Sequence, residues 1–369
     1  MADLPARLLD RPAPEVARWL ALVRLHDLIS TRQRLGDQED AEALHDFRVA
    51  LRRLRSLLRA YREVLADSVT KKTRRRLGRL TTAAGMSRDS EVWLQWLREH
   101  GQTGPGALPG VEWAERELSR ARNKGDRQLQ RALDRNFAAV TERLQQRLQR
   151  YRVTYALGEA TELLPARELV SRTLHAMVIT LQQTLEMSHT IGDDEVLHRA
   201  RIGIKRLRYM LEPVVEGKLA PTRVLRTAAA AITQLKQLQD ELGYLGDVLT
   251  FDRWLADRIA EGDAQHARDG EALAEAPGTE GQPGGDARDP ALTAFVLALR
   301  RRLHKEAARQ YRYLDSDRFR RQTVRLIRRI HAVADRLAPR KSTPDRPPAT
   351  GETEPSLEGG DRVSANAGE

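Results

Sequence analysis

The sequence has 369 residues, no cysteine and a formal net charge of +11 at pH 7. The lack of cysteine excludes disulfide frameworks, thiolate metal sites and cysteine nucleophiles. Aromatic residues make up only 5% of the chain, and Leu, Ala, Arg, Glu and Gln dominate its long stretches, so the composition predicts an all-α fold. The excess of positive charge predicts a polyanionic partner.

The N-terminal segment has acids and prolines where a secretion signal needs an uninterrupted apolar run. No later segment approaches the length of a membrane span. The chain is therefore expected to be soluble and cytoplasmic, without a membrane partner.

The first distinctive element is LHDFRVALRRLRSLLRAY, residues 44–61. Apolar residues recur three or four positions apart, which places them on one face of a helix and predicts that this face is buried. The predicted buried edge consists of Phe47, Leu51, Leu54, Leu58, Tyr61 and Leu65.

A second stripe on the same helix is cationic, and residues 48–62 contain no acid. Like charges at helical spacing destabilise a helix, so an unbroken row of them indicates an anionic ligand that offsets the repulsion. A solvated charged face, the alternative, normally mixes both signs. The stripe consists of His45, Arg48, Arg52, Arg55, Arg59 and Arg62, with Arg53 beside it.

The same pattern returns in LHRARIGIKRLRYMLEPV, residues 197–214, which aligns with residues 44–61 without a gap. Its apolar edge is Ala200, Ile204, Leu207, Leu211 and Val214. Glu212 stands where the first copy has Arg59. The cations of the second copy are His198, Arg201, Lys205, Arg206 and Arg208, which match His45, Arg48, Arg52, Arg53 and Arg55.

Downstream the similarity continues, with Gly85 and Asp89 matching Gly243 and Asp247 after a short insertion. Asp89, next to Arg88, and Asp247 are expected to form ion pairs or to cap a helix start. Each half later carries a basic helix followed by a Leu-Asp pair and a Phe, at Leu133-Asp134 with Phe137 and at Leu314-Asp315 with Phe319.

The repeat predicts one helical domain over residues 10–338, with a first half at about 10–160 and a second at about 165–338, each of about four or more helices. An acidic stretch rich in Gly and Pro, about 262–290, is predicted to be a disordered insertion, and 339–369 a disordered tail. Secondary contacts to the anionic ligand are expected from Arg62, Arg302, Lys305 and Arg309.

Two Glu-x-x-His pairs, Glu42 with His45 and Glu195 with His198, leave a metal-dependent phosphohydrolase as one alternative. Such a site also needs inward Glu residues from two further helices, and no repeated pair of that kind is found. We expect no metal, no cofactor and no catalytic residue. Nucleic-acid binding is the other alternative, expected to be weak and salt-sensitive because the chain has few aromatic residues for base stacking.

The repeated His-x-x-Arg…Arg-Leu-Arg pattern resembles the CHAD family, the conserved histidine α-helical domains, over nearly all of residues 14–338. The resemblance implies two bundle-like halves related by a pseudo-twofold, with a basic central groove or pore that binds inorganic polyphosphate, and association with polyphosphate granules. Some members carry a triphosphate tunnel domain marked by a Glu-x-Glu-x-Lys run, which the N-terminal part lacks, so a binding protein and not an enzyme is expected. The binding residues that it implies are His45, Arg48, Arg52, Arg53 and Arg55 with His198, Arg201, Lys205, Arg206 and Arg208.

Overall fold

A computed structural model describes residues 8–37, 40, 42–101, 107–150, 164–187, 194–275 and 290–338, without the side chains of 86–88, 107, 262–275 and 290. Within these residues the chain is helical and has no strand, which confirms the predicted all-α fold. After a short 3-10 helix at Leu8–Asp10, the α-helices are α1 (Ala13–Arg34), α2 (Ala43–Ala60), α3 (Lys71–His100), α4 (Ala107–Gln149), α5 (Ala166–Met187), α6 (Asp194–Glu216), α7 (Thr222–Glu275), α8 (Pro290–Leu314) and α9 (Asp317–Leu337).

The described residues up to Ala338 belong to one compact unit. The tail predicted to be disordered lies outside the described residues. The predicted disordered insertion differs from the structure in its first part, because α7 continues to Glu275. Ala and Glu make up half of residues 264–275 and favour a helix despite the lack of apolar periodicity. Among the described helices, none combines the length and apolar character that crossing a membrane requires.

The helices of the two halves pack in matching pairs. The contacts of α1 with α2 and of α2 with α3 have counterparts in those of α5 with α6 and of α6 with α7. Across the halves, α1 contacts α5, α2 contacts α6, α3 contacts α7 and α4 contacts α8. Each of the helices α1 to α4 therefore contacts the helix that holds the corresponding place in the order of the second half.

The backbone shows the same reciprocity where the halves meet. The N–H of Ala13 donates to the carbonyl of Leu164 at 2.9 Å, and the N–H of Ala166 donates to the carbonyl of Arg11 at 2.9 Å. Exchanging equivalent residues turns one bond into the other, as in an interface built on a twofold axis. The internal twofold remains a prediction, which these contacts support.

The repeated helices α2 and α6 bury their apolar edges as predicted. Phe47, Leu51 and Leu54 of α2 and Ile204 and Leu207 of α6 are fully buried, each stabilising the fold by roughly 1.5–3 kcal/mol. The helices differ at their C-terminal ends, because α2 ends at Ala60 whereas α6 continues to Glu216. The last turn of α6 therefore carries Glu216, which lies beyond the equivalent end of α2, to 3.9 Å from Arg53.

Candidate functional site

The packing of α2 against α6 brings the two cationic stripes together. Burial, with the charges of Arg201, Arg52 and Arg48, lowers the pKa of Lys205 to about 8. Arg201 lies on the same helix as Lys205, and the other two arginines lie on α2. Cations from both halves thus share one electrostatic environment. Together with two carboxylates they form what we call the central cluster, which consists of Arg48, Arg52, Arg201, Lys205, Asp89 and Asp247.

In the first half, α3 holds Arg48 in place. Its Nη1 donates to the carbonyls of Ala84 at 2.6 Å and Gly85 at 3.0 Å, and its Nη2 lies 3.9 Å from Oδ1 of Asp89. Asp89 lies in the interior of α3, so it pairs with an arginine and does not cap a helix. Burial raises its pKa, against the lowering effect of the charge of Arg48.

In the second half, α7 holds Arg201 in the equivalent way. Nη2 of Arg201 lies 3.4 Å from Oδ1 of Asp247, in the interior of α7. Its Nη1 lies so close to Gly246 that a Cβ there would fall 1.6 Å from it. Glycine at this position therefore allows the guanidinium to lie against the helix. In the sequence, the signal for this contact is the glycine directly before Asp247.

The central cluster leaves part of its hydrogen-bonding capacity unused. Among the described side chains, the buried Nε atoms of Arg52 and Arg201 have no hydrogen-bond partner. No ion pair of the described residues involves Arg52 or Lys205, although acids neighbour both helices. The cluster combines four cations with two carboxylates and so retains positive charge.

Arg53 and Arg208, both predicted to bind the anion, are ion-paired within the protein. Nε of Arg53 donates to Oε2 of Glu212 at 2.8 Å across the α2–α6 contact, and Nε of Arg208 lies 3.1 Å from Oε1 of the same carboxylate. Glu212 is only 4% exposed. Although burial opposes it, the hydrogen bond and charge of Glu212 raise the pKa of Arg53. Their contact with an external anion stays a prediction.

Three other predicted residues, Arg55, Arg59 and Arg206, form a second group that we call the arginine trio. Burial and the charge of Arg59 lower the pKa of Arg55, and the same two causes lower the pKa of Arg206. Arg59 thus acts on its own helix and on α6. Within the part of the chain that the structure describes, none of the three has an acidic partner at ion-pair distance.

The two histidines lie exposed in the first turns of α2 and α6. His198 and Arg201 line a cavity of about 330 Å³ between α6 and α7, which Asp194 and Glu195 also line. Burial and the charges of Arg201 and Lys205 lower the pKa of His198. For the Glu-x-x-His alternative, the described residues contain no group of three or more acids, histidines or cysteines placed to hold a metal ion.

The predicted secondary contacts lie outside both groups. Arg62 is exposed just after α2. Arg302 on α8 donates to the carbonyl of His100 at 2.9 Å. Lys305 and Arg309 are exposed on α8, which packs against α4, α7 and α9.

A comparison with protein families matches the CHAD domain over residues 21–256. Among solved structures, the fold is similar to the CHAD domain from the plant Ricinus communis, at a TM-score of 0.55 and 20% identity over 81% of this chain and 95% of that chain. It is also similar to PptA from Streptomyces chartreusis, at a TM-score of 0.51 and 16% identity over 82% of this chain and 98% of that chain. No curated protein matches the chain. At these identities the structural similarity shows a common fold.

Proposed function

Since the chain belongs to the CHAD domain family, we propose that it binds inorganic polyphosphate, without catalysis. The observation that carries the proposal is the central cluster, where cations of α2 and α6 meet. Lys205 is partly buried, and burial together with the charges of three arginines lowers its pKa to about 8. The cations of this cluster repel one another, as the lowered pKa of Lys205 shows, and a bound anion would offset that repulsion.

Polyphosphate fits this arrangement chemically. It carries about one charge per phosphate unit and has no bases to read, so rows of cations at helical spacing suffice for recognition. Arginine donates two parallel hydrogen bonds to phosphate oxygens, and Arg52 has no acidic partner at ion-pair distance among the described residues. Release of counterions from the polymer adds to the affinity.

An internal twofold would extend the site over both halves as a basic groove. In this proposal the polymer runs along α2 and α6, through the central cluster, and the exposed histidines lie near its path. Association with polyphosphate granules follows from the same binding. The proposed contacts are His45, Arg48, Arg52, Arg55, Arg59, His198, Arg201, Lys205 and Arg206, with Arg53 and Arg208 behind them.

The test is a titration of long-chain polyphosphate and of double-stranded DNA of matched total charge, at physiological ionic strength. We expect polyphosphate to bind more tightly by about two orders of magnitude or more, and Arg52→Ala combined with Lys205→Ala to weaken it by at least about tenfold, or 1.4 kcal/mol. Arg329→Ala, an exposed cation on α9, is the control and should bind as the wild type does.

DNA affinity equal to or greater than that for polyphosphate would overturn the proposal in favour of nucleic-acid binding. Phosphate release from the polymer that disappears when His45 and His198 are replaced by Ala would overturn it in favour of an enzyme. If neither polymer binds, the cationic stripes serve another partner.

A further inference from the structure

The ungapped match of the two repeated helices assigns an equivalent to every residue of the Glu212 ion pairs. Arg53 and Arg206 are equivalent, Arg208 and Arg55 are equivalent, and Glu212 is equivalent to Arg59. The backbone hydrogen bonds of Ala13 and Ala166 are related by exchanging equivalent residues of the two halves. If the side chains follow the same rule, the contact of Arg53 with Glu212 has a counterpart between Arg206 and Arg59. The counterpart of a buried salt bridge is then a pair of like charges.

The electrostatics agree with this exchange. Burial and the positive charge of Arg59 together lower the pKa of Arg206 on the opposite helix. The same two causes lower the pKa of Arg55 on the same helix as Arg59. In the other half, Glu212 contacts the equivalent arginines, Arg53 and Arg208, at 2.8 and 3.1 Å. One side of the α2–α6 contact thus holds two arginines around a carboxylate, and the other side holds three arginines.

Among the described residues, no acid at ion-pair distance from the arginine trio replaces the missing carboxylate. Glu63 is equivalent to Glu216, which lies 3.9 Å from Arg53, but α2 ends at Ala60 and leaves Glu63 exposed in the following turn. Among the ion pairs of the described residues, none involves Glu63.

We propose that Arg55, Arg59 and Arg206 form a phosphate subsite, in which one phosphate of the polymer takes the place that the carboxylate of Glu212 takes in the other half. This inference rests on the proposed function. It makes the site asymmetric, because the position around Glu212 is filled by the protein itself. Arg53 and Arg208 are then structural, although the sequence pattern predicts them as binding residues.

Accessibility supports the difference between the two positions. Glu212 and Arg208 are buried, at 4% and 9% exposure, so an incoming anion cannot reach that side without displacing the carboxylate. Arg59 is exposed, and Arg55 and Arg206 are only partly buried. Nη2 of Arg55 lies 3.7 Å from where a Cβ of Gly78 would be, so the guanidinium lies beside α3. The arginine trio is open to solvent and to a ligand.

The decisive variant is Arg59→Glu, which places a carboxylate in the trio as Glu212 does in the other half. We expect polyphosphate affinity to fall by at least about tenfold, while the denaturant midpoint of unfolding rises because the new carboxylate offsets Arg55 and Arg206. Arg59→Gln, which removes the charge without replacing the ligand, should lose less affinity. Arg329→Glu on α9 makes the same change in net charge and is the matched control.

The subsite is supported if affinity falls in the order wild type, Arg59→Gln, Arg59→Glu, with Arg329→Glu close to wild type and Arg59→Glu at least as stable as wild type. It is overturned, with the proposed function intact, if Arg59→Glu binds like Arg329→Glu while the Arg52→Ala, Lys205→Ala variant loses binding. A lower unfolding midpoint in Arg59→Glu also overturns it, because the trio would then not accept a carboxylate. A wild-type chain that fails to bind polyphosphate overturns both.

Discussion

Lys205 is the residue of the central cluster whose charge depends most on pH. Its pKa is lowered to about 8 by burial and by the charges of Arg201 and Arg52. A bound polyanion favours the ammonium form and raises the pKa again, so binding takes up a proton. We expect polyphosphate affinity to fall as the pH rises above 8, and expect Lys205→Arg to remove most of this fall because a guanidinium stays charged. Titrations of the wild type and of Lys205→Arg with polyphosphate, at about pH 7 and about pH 9 and constant ionic strength, measure this fall in affinity.

The free energy of unfolding is expected to change with pH in the direction opposite to that of the affinity. A lowered lysine pKa means that the unfolded chain binds more protons between pH 8 and 10.5, so this group makes the free energy of unfolding rise with pH over that range. Lys205→Met should lack this rise and serves as the control. Identical pH profiles of binding in the wild type and in Lys205→Arg would contradict the assignment of Lys205 to the site.

Gly246 allows a test of Arg201 without removing a charge. A Cβ at this position would fall 1.6 Å from Nη1 of Arg201, so Gly246→Ala must displace the guanidinium. Gly243, three residues earlier on α7, has no atom within 4 Å of its Cβ position, and Gly243→Ala is the matched control. We expect polyphosphate affinity to fall by about threefold to tenfold only in Gly246→Ala.

Both alanines favour the helix by about 1 kcal/mol, apart from any strain at Arg201. Equal affinities of the two variants, measured by the same titration, would mean that the position of Arg201 does not matter for binding.

At the scale of single residues, the sequence predicts buried edges better than ion pairs. The apolar positions of α2 and α6 follow from helical periodicity alone, and Phe47 and Ile204 are fully buried as expected. Periodicity on one helix says nothing about which acid on a neighbouring helix reaches its cations. The pairing of Arg53 and Arg208 with Glu212 therefore emerges only from the packing of α2 against α6.

At the scale of elements, the two halves differ where local sequence overrides the repeat. In the second half α8 ends at Leu314, and Ser316 caps α9 by accepting from the N–H of Phe319 at 3.2 Å. In the first half α4 continues through the equivalent Leu133-Asp134 without interruption. A serine that satisfies the free N–H groups of a new helix decides the difference. The repeat predicts which elements correspond, and the capping residue decides whether one helix becomes two.

The position at which α2 ends affects the charges at the contact between α2 and α6. The six apolar positions of its predicted edge extend to Leu65, and Tyr61 and Leu65 are buried, but the helix itself ends at Ala60. Residues 61–68 form turns, and Glu63 is exposed there, whereas Glu216 lies on α6 at 3.9 Å from Arg53. The charge difference between the two ends of the α2–α6 contact thus depends on a helix boundary together with the Glu212 position.

At the scale of the whole molecule, salt dependence separates the proposed path from the rest of the basic surface. The logarithm of the binding constant for a polyanion falls with the logarithm of salt concentration, and each cation that contacts a phosphate contributes about one unit or slightly less to the slope. Lys305 is an exposed cation on α8, outside the central cluster and the arginine trio. If the polymer extends over α8, Lys305→Ala lowers the slope as Arg52→Ala does.

We expect Arg52→Ala to lower the slope by about one unit and Lys305→Ala, at a predicted secondary contact, to lower it by less. Binding constants of both variants and of the wild type, measured at several salt concentrations, give the three slopes. An equal reduction by the two substitutions would mean that the polymer contacts α8 as closely as α2. A reduction confined to Arg52→Ala would limit the path to the contact between α2 and α6, where the cations of both halves already repel one another before any ligand binds.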